Sequence, residues 1–569
     1  MADADATAGG LAPLTADDTT VTSTGRRRWH ITAMLIAALV LLPLAAITWT
    51  ALFPTENIWP HLVSTVLPGY IGTTLILMTG VGIGTFVIGT ATAWLVAMCR
   101  FPGRRMFAWA LLLPMAMPAY VIAYVYTDVL EYAGPVQSVL RDIFGWQTKR
   151  DYWFPEIRSL GGAITMMTLV LYPYVYALAR ATFLEQSVCV LEVSRTLGRG
   201  TWRAFRDVAL PLARPAIAVG ITLALMETLN DFGTVDYFAV RTLTAGVFDV
   251  WYGMGNPGGA AQIAGVMLIF VVLLIWAERR SRRRQRFHHT SSKLQPIDGI
   301  KLTGHRAILA ALACLLPVLL GFALPAAVLA AYAFGDSDAR WSADFWGFAG
   351  NSLGLATASA LVAVGVATLL AYAARQRASA LVRACIRLSG IGYAVPGAVL
   401  AIGVLVPFAA FDNGLDAVLR DTFGVSTGLL LSGTLVALIF AYTVRFLAVS
   451  LGAVESGLGR ITPNMEMAAR SLGHSPSATL RRVHLPLMRG SLLTGGLLVF
   501  VDTMKELPAT LVLRPFDFDT LATYVYQFAS DELLEACAPA ALMIVLAGVV
   551  PVLLLNKVVG NTRAAERAR

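Results

Sequence analysis

Apolar runs of about 20 residues recur along the whole chain, and each is long enough to cross the hydrocarbon core of a bilayer. With 57% hydrophobic and only 14% charged residues among 569, the composition excludes a soluble globular protein. The pattern therefore predicts an all-α integral membrane protein with about twelve transmembrane helices. The runs lie near residues 31–53, 69–99, 106–132, 161–183, 212–232, 260–278, 306–334, 350–375, 383–411, 427–449, 488–512 and 537–557.

Positive charge falls in alternate loops between these runs, as it does in loops that stay on the cytoplasmic side. Both chain termini, and the segments around Gly198 and Gly473, are therefore predicted to be cytoplasmic. Because the arginines are spread over these loops, the net charge of +9 reflects membrane topology, and we expect no nucleic-acid partner. The basic stretches run from Arg26 to Arg28, Arg100 to Arg105, Arg180 to Arg214, Arg279 to Arg286, Arg375 to Arg387, Arg445 to Arg482 and Lys557 to Arg569.

The twelve runs divide into two similar halves of six. Glu227-Thr228 in the first half corresponds to Asp502-Thr503 in the second, and Thr242-Leu243 resembles Thr520-Leu521. Because each half has an even number of spans, the repeat is parallel, about an axis along the membrane normal. The predicted parts are a disordered cytoplasmic tail (1–28), a first half (29–278), a basic cytoplasmic linker (279–305), a second half (306–557) and a cytoplasmic tail (558–569).

A polar, basic segment occurs once in each half, at residues 190–211 (the first coupling segment) and 465–486 (the second coupling segment). The interval from Gly198 to Gly473 equals the interval from Pro211 to Pro486, and we call this interval the repeat spacing. Each segment is typical of a short amphipathic helix, a glycine turn, a second short helix and a Leu-Pro that begins the next span.

These segments resemble the "EAA" loop of ABC-transporter permeases, which is the coupling helix that docks into a groove on the ATP-hydrolysing subunit. The resemblance implies that Glu192 contacts that subunit. Met467 occupies the equivalent position in the second copy, and whether Glu466, one place earlier, replaces the acidic residue stays open. The residues assigned to coupling are Glu192, Arg195, Gly198, Leu210, Pro211, Glu466, Arg470, Gly473, Leu485 and Pro486.

Charged residues at membrane depth form a second candidate site, because burying a charge in the bilayer is costly. Glu227 lies far enough along the span that begins at Pro211 to stand roughly 24 Å above the first coupling segment. One hypothesis is a polar vestibule or gate on the solute pathway, and the other is an ion-paired structural cluster in which Lys505 pairs at helical spacing. The candidate residues are Glu227, Asp231, Asp502, Lys505 and Glu506.

The stretch 502–511, followed by Leu513-Arg514-Pro515-Phe516 and 519–523, resembles the signature of fused iron(III)-uptake permeases. The resemblance implies a ferric importer of the bacterial inner membrane that works by alternating access. Its partners would be an exported iron-binding protein and a homodimeric ATPase, which would bind ATP and Mg. Permeases for thiamine, phosphonate or polyamines stay open as alternatives, and an ion-gradient-driven secondary transporter is a rival from another class.

The sequence contains no GxxxxGK[ST] phosphate loop, HExxH or GxSxG motif. We therefore assign no catalytic residue, cofactor or enzyme activity to this chain. Tyrosines at 120, 124 and 126, and at 172, 174 and 176, suggest iron ligands. Their helical spacing spreads them over several faces, which favours membrane-interface anchoring, and we assign no metal site.

Overall fold

A computed structural model describes residues 16–185, 201–282, 300–335, 341, 343–376 and 379–567. Within these ranges, ten helices are long and apolar enough to cross a membrane, and two bent helix pairs bring the number to twelve. The all-α membrane fold is thus confirmed. In chain order the spans are Arg27–Leu52, Leu67–Met98, the pair Arg104–Ala116 and Ala119–Phe144, Leu160–Leu184, Phe205–Asn230, Pro257–Glu278, His305–Ala333, Asp344–Arg375, Gly397–Phe423, Leu435–Gly459, the pair Pro476–Leu487 and Arg489–Met504, and Leu534–Pro551.

Short elements connect these spans. Two short strands, Cys99–Arg100 and Ile300–Lys301, pair in parallel and tie the end of the second span to the segment before the seventh. The short α-helices outside the twelve spans are Trp59–Ser64, Thr201–Ala204, Gly233–Tyr237, Leu243–Phe248, Ala380–Ser389, Pro463–Ser471, Pro508–Leu513 and Leu521–Ser530. A π turn, Asp249–Gly253, follows Leu243–Phe248.

The chain ends are more helical than the sequence pattern predicts. The first helix is Ala16–Leu52, so residues 16–28 are helical although we expected a disordered tail. A helix nucleated by the long apolar run propagates at little cost. The last helix, Leu534–Arg567, likewise continues through most of the predicted C-terminal tail.

The third and ninth runs are broken helices rather than straight spans. In the third, a 3-10 turn (Leu113–Ala116) precedes Pro118, and the two arms are bent by 91°. The ninth repeats this arrangement with a 3-10 turn (Gly390–Ala394) before Pro396. The residues before the two prolines are extended, with ψ of 119° and 126°, because proline disfavours the helical conformation of its predecessor.

Equivalent tertiary hydrogen bonds mark the two halves as repeats. The backbone N–H of Leu243 donates to Thr74 Oγ1 over 3.0 Å, and that of Leu521 donates to Ser352 Oγ over 2.7 Å. The two donors are separated by the same interval in the sequence as the two acceptors. The same polar contact therefore fixes the same pair of elements in each half.

Each half places its first span against the other half. A Cβ at Gly403 in the ninth span would lie 2.5 Å from the carbonyl oxygen of Pro43 in the first span. A Cβ at Gly321 in the seventh span would lie 2.7 Å from the Leu169 carbonyl oxygen in the fourth. Tyr126 of the third span also donates to the Leu320 carbonyl over 2.8 Å. The halves are therefore interlocked by exchanged helices.

We expect Gly403→Leu to destabilise the protein by about 1–3 kcal/mol, because the side chain would overpack the contact with the first span. The measurement is the apparent melting temperature of the purified protein in detergent. Gly414→Leu is the matched control: it lies on the same helix with nothing within 4 Å of its Cβ. Equal melting temperatures for the two variants would contradict the close packing at Gly403.

Candidate transport pathway and coupling segments

Three helix breaks line one cavity of about 100 Å³, and the break before Gly397 in the ninth span contacts its lining through Asn230. The fifth span ends at Asn230, and the eleventh ends at Met504 before the short helix Pro508–Leu513. Non-helical backbone at membrane depth is tolerated where it is buried in protein or lines a cavity. The lining residues that stand at or beside these breaks are Met117, Pro118, Asn230, Asp231, Phe232, Lys505, Glu506 and Leu507.

Side chains of the lining satisfy backbone N–H groups that the breaks leave without helical partners. Asn230 Oδ1 accepts from Gly397 N over 2.7 Å. Asp231 Oδ1 accepts from Thr234 N over 3.0 Å, and Glu506 Oε1 accepts from Ala509 N over 3.2 Å. Asp231 and Glu506 are related by the repeat spacing, so the two halves use a carboxylate at the same position for the same purpose.

Arg445 joins the two halves within the lining. Its guanidinium lies 3.3 Å from Glu506 Oε2 and donates to Asn230 Oδ1 over 3.2 Å. The side chains of Arg445 and Glu506 are only 7% and 5% exposed. Removing one partner of such a buried pair leaves an uncompensated charge, which is strongly destabilising. The pair therefore fixes the tenth span against the end of the eleventh, and the hydrogen bond to Asn230 fixes it against the end of the fifth.

All five residues that the sequence assigned to the pathway or gate line this cavity: Glu227, Asp231, Asp502, Lys505 and Glu506. Lys505 pairs at helical spacing with Asp502, since its Nζ lies 2.9 Å from Asp502 Oδ1. Glu227 has a neutral partner, the hydroxyl of Tyr393, which donates to Oε1 over 2.9 Å. Together with Asn230 and Arg445, these five residues form what we call the central cluster.

Arg445 does not begin a cytoplasmic basic stretch, so the prediction that it does is wrong. The residue lies inside the tenth span, Leu435–Gly459. Its position within the apolar run 427–449 was the available signal, because an arginine there must find a buried partner. Tyr120, Tyr174 and Arg445 also line the cavity. The two tyrosines are among the six that suggested iron ligands, but no sequence feature sets them apart from the other four.

The second coupling segment has the predicted helix–glycine–helix form. Helix Pro463–Ser471 ends before Gly473, whose φ of +82° is the left-handed conformation that glycine adopts without strain. Helix Pro476–Thr479 follows and runs into a π turn at Leu480–His484. The first half has a π turn at Phe205–Ala209, which is the equivalent position by the repeat spacing. The repeat therefore extends to local backbone geometry.

Glu466 is turned inward, toward the end of the eighth span. Its carboxylate lies 3.0 Å from Arg375 Nε and 2.7 Å from Arg470, and its side chain is 12% exposed. Burial raises the pKa of this carboxyl, but the hydrogen bond from Arg375 and the charges of both arginines outweigh it, so the pKa is lowered. Arg375 also donates to the carbonyls of Leu458 and Ile461, which anchors the helix that carries Glu466.

Two large apolar side chains stand exposed on the otherwise polar second coupling segment. Met467 is 59% exposed and Leu472 is 78% exposed. On its inner side, the carbonyl of Pro476 accepts from the hydroxyl of Tyr372 over 2.8 Å, and the Tyr372 ring meets His484 edge-on. The segment is thus fixed from within and exposes large apolar side chains beside basic ones, a pattern typical of a docking surface.

The remaining coupling residues are only partly visible. Glu192, Arg195 and Gly198 lie outside the described residues. Leu210 and Pro211 begin the helix Leu210–Asn230, as predicted. Leu485 and Pro486 form one short turn, Leu485–Leu487, and the chain then bends by 77° before Arg489–Met504. The second arm of the eleventh span, Arg489–Met504, therefore begins after this bend rather than at Pro486.

Comparisons with known proteins agree with this architecture. Residues 86–287 match the family model described as the inner membrane component of binding-protein-dependent transport systems. The chain is 26% identical to the Fe(3+)-transport system permease protein FbpB 2 of Haemophilus influenzae, over 85% of this chain and 88% of that protein. It is 23% identical to the ferric transport system permease protein FbpB of Actinobacillus pleuropneumoniae, over 93% and 77% respectively.

A shorter relative matches one part of the chain. The molybdenum transport system permease protein ModB of Escherichia coli is 30% identical over 206 residues, which are 34% of this chain and 86% of that protein. A relative that aligns almost completely with about a third of the chain fits two permease units joined in sequence. The chain belongs to the family of binding-protein-dependent transport system inner membrane components.

Proposed function

We propose that this chain is the membrane-spanning permease of an ABC importer for ferric iron. The observation that carries the proposal is the near full-length similarity to two ferric permeases, together with the acidic lining of the central cavity. Transport, rather than catalysis within this chain, is the role that the family supports.

The charge of the lining favours a cation over an oxyanion such as molybdate. The described lining holds four carboxylates against two basic side chains, Arg445 and Lys505. Both basic groups are already paired, with Glu506 and Asp502 respectively. An anion entering this cavity would meet carboxylates without an available cationic partner, which is unfavourable at low dielectric.

The partners follow from the permease role. A homodimeric ATPase would bind ATP and Mg and contact the first and second coupling segments from the cytoplasm. An extracytoplasmic binding protein would deliver the iron on the opposite side of the membrane. Both chain termini would lie on the same side as the coupling segments, in the cytoplasm. The exposed Met467 and Leu472 are suited to an apolar groove on the ATPase, whereas Glu466 acts within this chain.

The second coupling segment has a direct connection to the bundle. Movement of its first helix would be carried to the eighth span through the Glu466–Arg375 ion pair. The Tyr372–Pro476 hydrogen bond ties the same span to the second helix of the segment. Rocking of one half against the other would then change which side of the central cluster is open, as in alternating access.

Reconstitution with the ATPase and the exported binding protein tests the proposal. We expect iron-loaded binding protein to stimulate ATP hydrolysis severalfold over iron-free binding protein and to drive iron into proteoliposomes. A stable complex that responds to another loaded solute would remove iron as the substrate. Transport that follows a proton or sodium gradient without ATP would contradict the importer class.

We expect Gly473→Val to abolish stimulation of the ATPase while the protein still inserts into the membrane. Valine at a φ of +82° costs roughly 1–2 kcal/mol and would displace one short helix of the second coupling segment from the other. Gly459→Val is the control, since it precedes the segment and has nothing within 4 Å of its Cβ. Normal stimulation in Gly473→Val would refute the role of the turn.

We expect Leu472→Ser to weaken binding of the ATPase about tenfold, as for an apolar anchor at an interface, with little effect on folding because the side chain is 78% exposed. The measurement is the affinity of the purified permease for the ATPase in detergent. Leu381→Ser, which is 60% exposed outside the segment, is the control. Equal losses in both variants would argue against a specific docking surface.

A further inference from the structure

The carboxylates of the central cluster are compensated unequally in the two halves. In the second half, Asp502 pairs with Lys505 and Glu506 pairs with Arg445. In the first half, Glu227 contacts the hydroxyl of Tyr393, and Asp231 accepts hydrogen bonds from groups of its own short helix. Among the described residues, neither first-half carboxylate lies within ion-pair distance of a basic side chain.

The hydroxyl of Tyr120 is a second, independent feature of the cavity that Glu227 and Asp231 line. Its side chain lines the cavity and the residue is 4% exposed, yet its hydroxyl has no hydrogen-bond partner among the described residues. Buried hydroxyl groups nearly always have partners. Tyr120 also packs closely against the short helix that follows Asp231, because a Cβ at Gly233 would lie 2.7 Å from the Tyr120 Cβ. Tyr120 and Asp231 therefore line the same cavity from neighbouring elements.

We propose that these three side chains form a transit site for a hard, trivalent cation. Glu227 and Asp231 supply the negative charge, and the hydroxyl of Tyr120 contacts the ion or a water molecule of its inner shell. Oxygen donors of this kind suit hard cations. This assignment deepens the proposed function and rests on it, because it places the contact with the transported ferric ion in the first half.

The site is suited to passage rather than storage. The part of the chain that the structure describes has no group of three or more His, Cys, Asp or Glu side chains placed to hold a metal ion. An ion between Glu227 and Asp231 would keep part of its hydration shell, so it could leave again. Conduction requires binding that is favourable enough for entry and weak enough for release.

The test uses the complete reconstituted transporter with iron-loaded binding protein. Asp231→Asn keeps a side-chain oxygen that can still cap the short helix, and Glu227→Gln keeps the acceptor for Tyr393. We expect each to lower the rate of iron uptake at least tenfold, and Tyr120→Phe to lower it severalfold. Iron-stimulated ATP hydrolysis should fall by less than twofold, because the coupling segments are unchanged.

Tyr124→Phe is the matched control. Tyr124 is on the same helix, is 1% exposed and also has an unpaired hydroxyl among the described residues, but it does not line the cavity. Uptake should stay within twofold of the wild type. Melting temperatures of all variants separate loss of transport from loss of folding.

Two other outcomes would overturn the transit site in different ways. If the wild type imports iron and the three cavity variants import it equally well, the transit site is wrong and the proposed function stands. If the wild type does not respond to iron-loaded binding protein, the ferric function fails and the transit site falls with it.

Discussion

The central constraint on this protein is that a bilayer offers no hydrogen bonds to exposed backbone. Four helix breaks meet at membrane depth, and side chains of the lining take over the N–H groups that those breaks release. Asn230 does this for Gly397, Asp231 for Thr234 and Glu506 for Ala509. These capping side chains are polar and lie among the breaks. They therefore line the cavity, take part in the buried ion pair and form contacts between the two halves.

The sequence predicted the parts of the structure that depend on local pattern. Apolar run length gave the spans, and the repeated segments gave the left-handed turn at Gly473. Partner choice depends on long-range packing, so the inward turn of Glu466 and the exchange of the first spans were not predictable. The breaks at Pro118 and Pro396 had a local signal in the prolines, but the flanking apolar residues masked it.

The two halves are alike in backbone but differ in charge. By the repeat spacing, Val170 corresponds to Arg445 and Asn230 corresponds to Lys505, and all four line the cavity. Both basic groups of the described lining therefore come from the second half. A duplicated scaffold can supply equivalent capping carboxylates in both halves. Later divergence then makes the cavity wall from the second half neutral overall and leaves the wall from the first half acidic.

The exchanged first spans also bear on assembly. The first span packs on the broken ninth span, and the seventh contacts the broken third span at Pro114 and Tyr126, so each half covers its broken helix with a segment from the other. Separate halves of this kind would have to find one another in the membrane, and like halves could pair in competition. Joining them in one polypeptide fixes their ratio at synthesis and ensures that the acidic wall always faces the neutralised one.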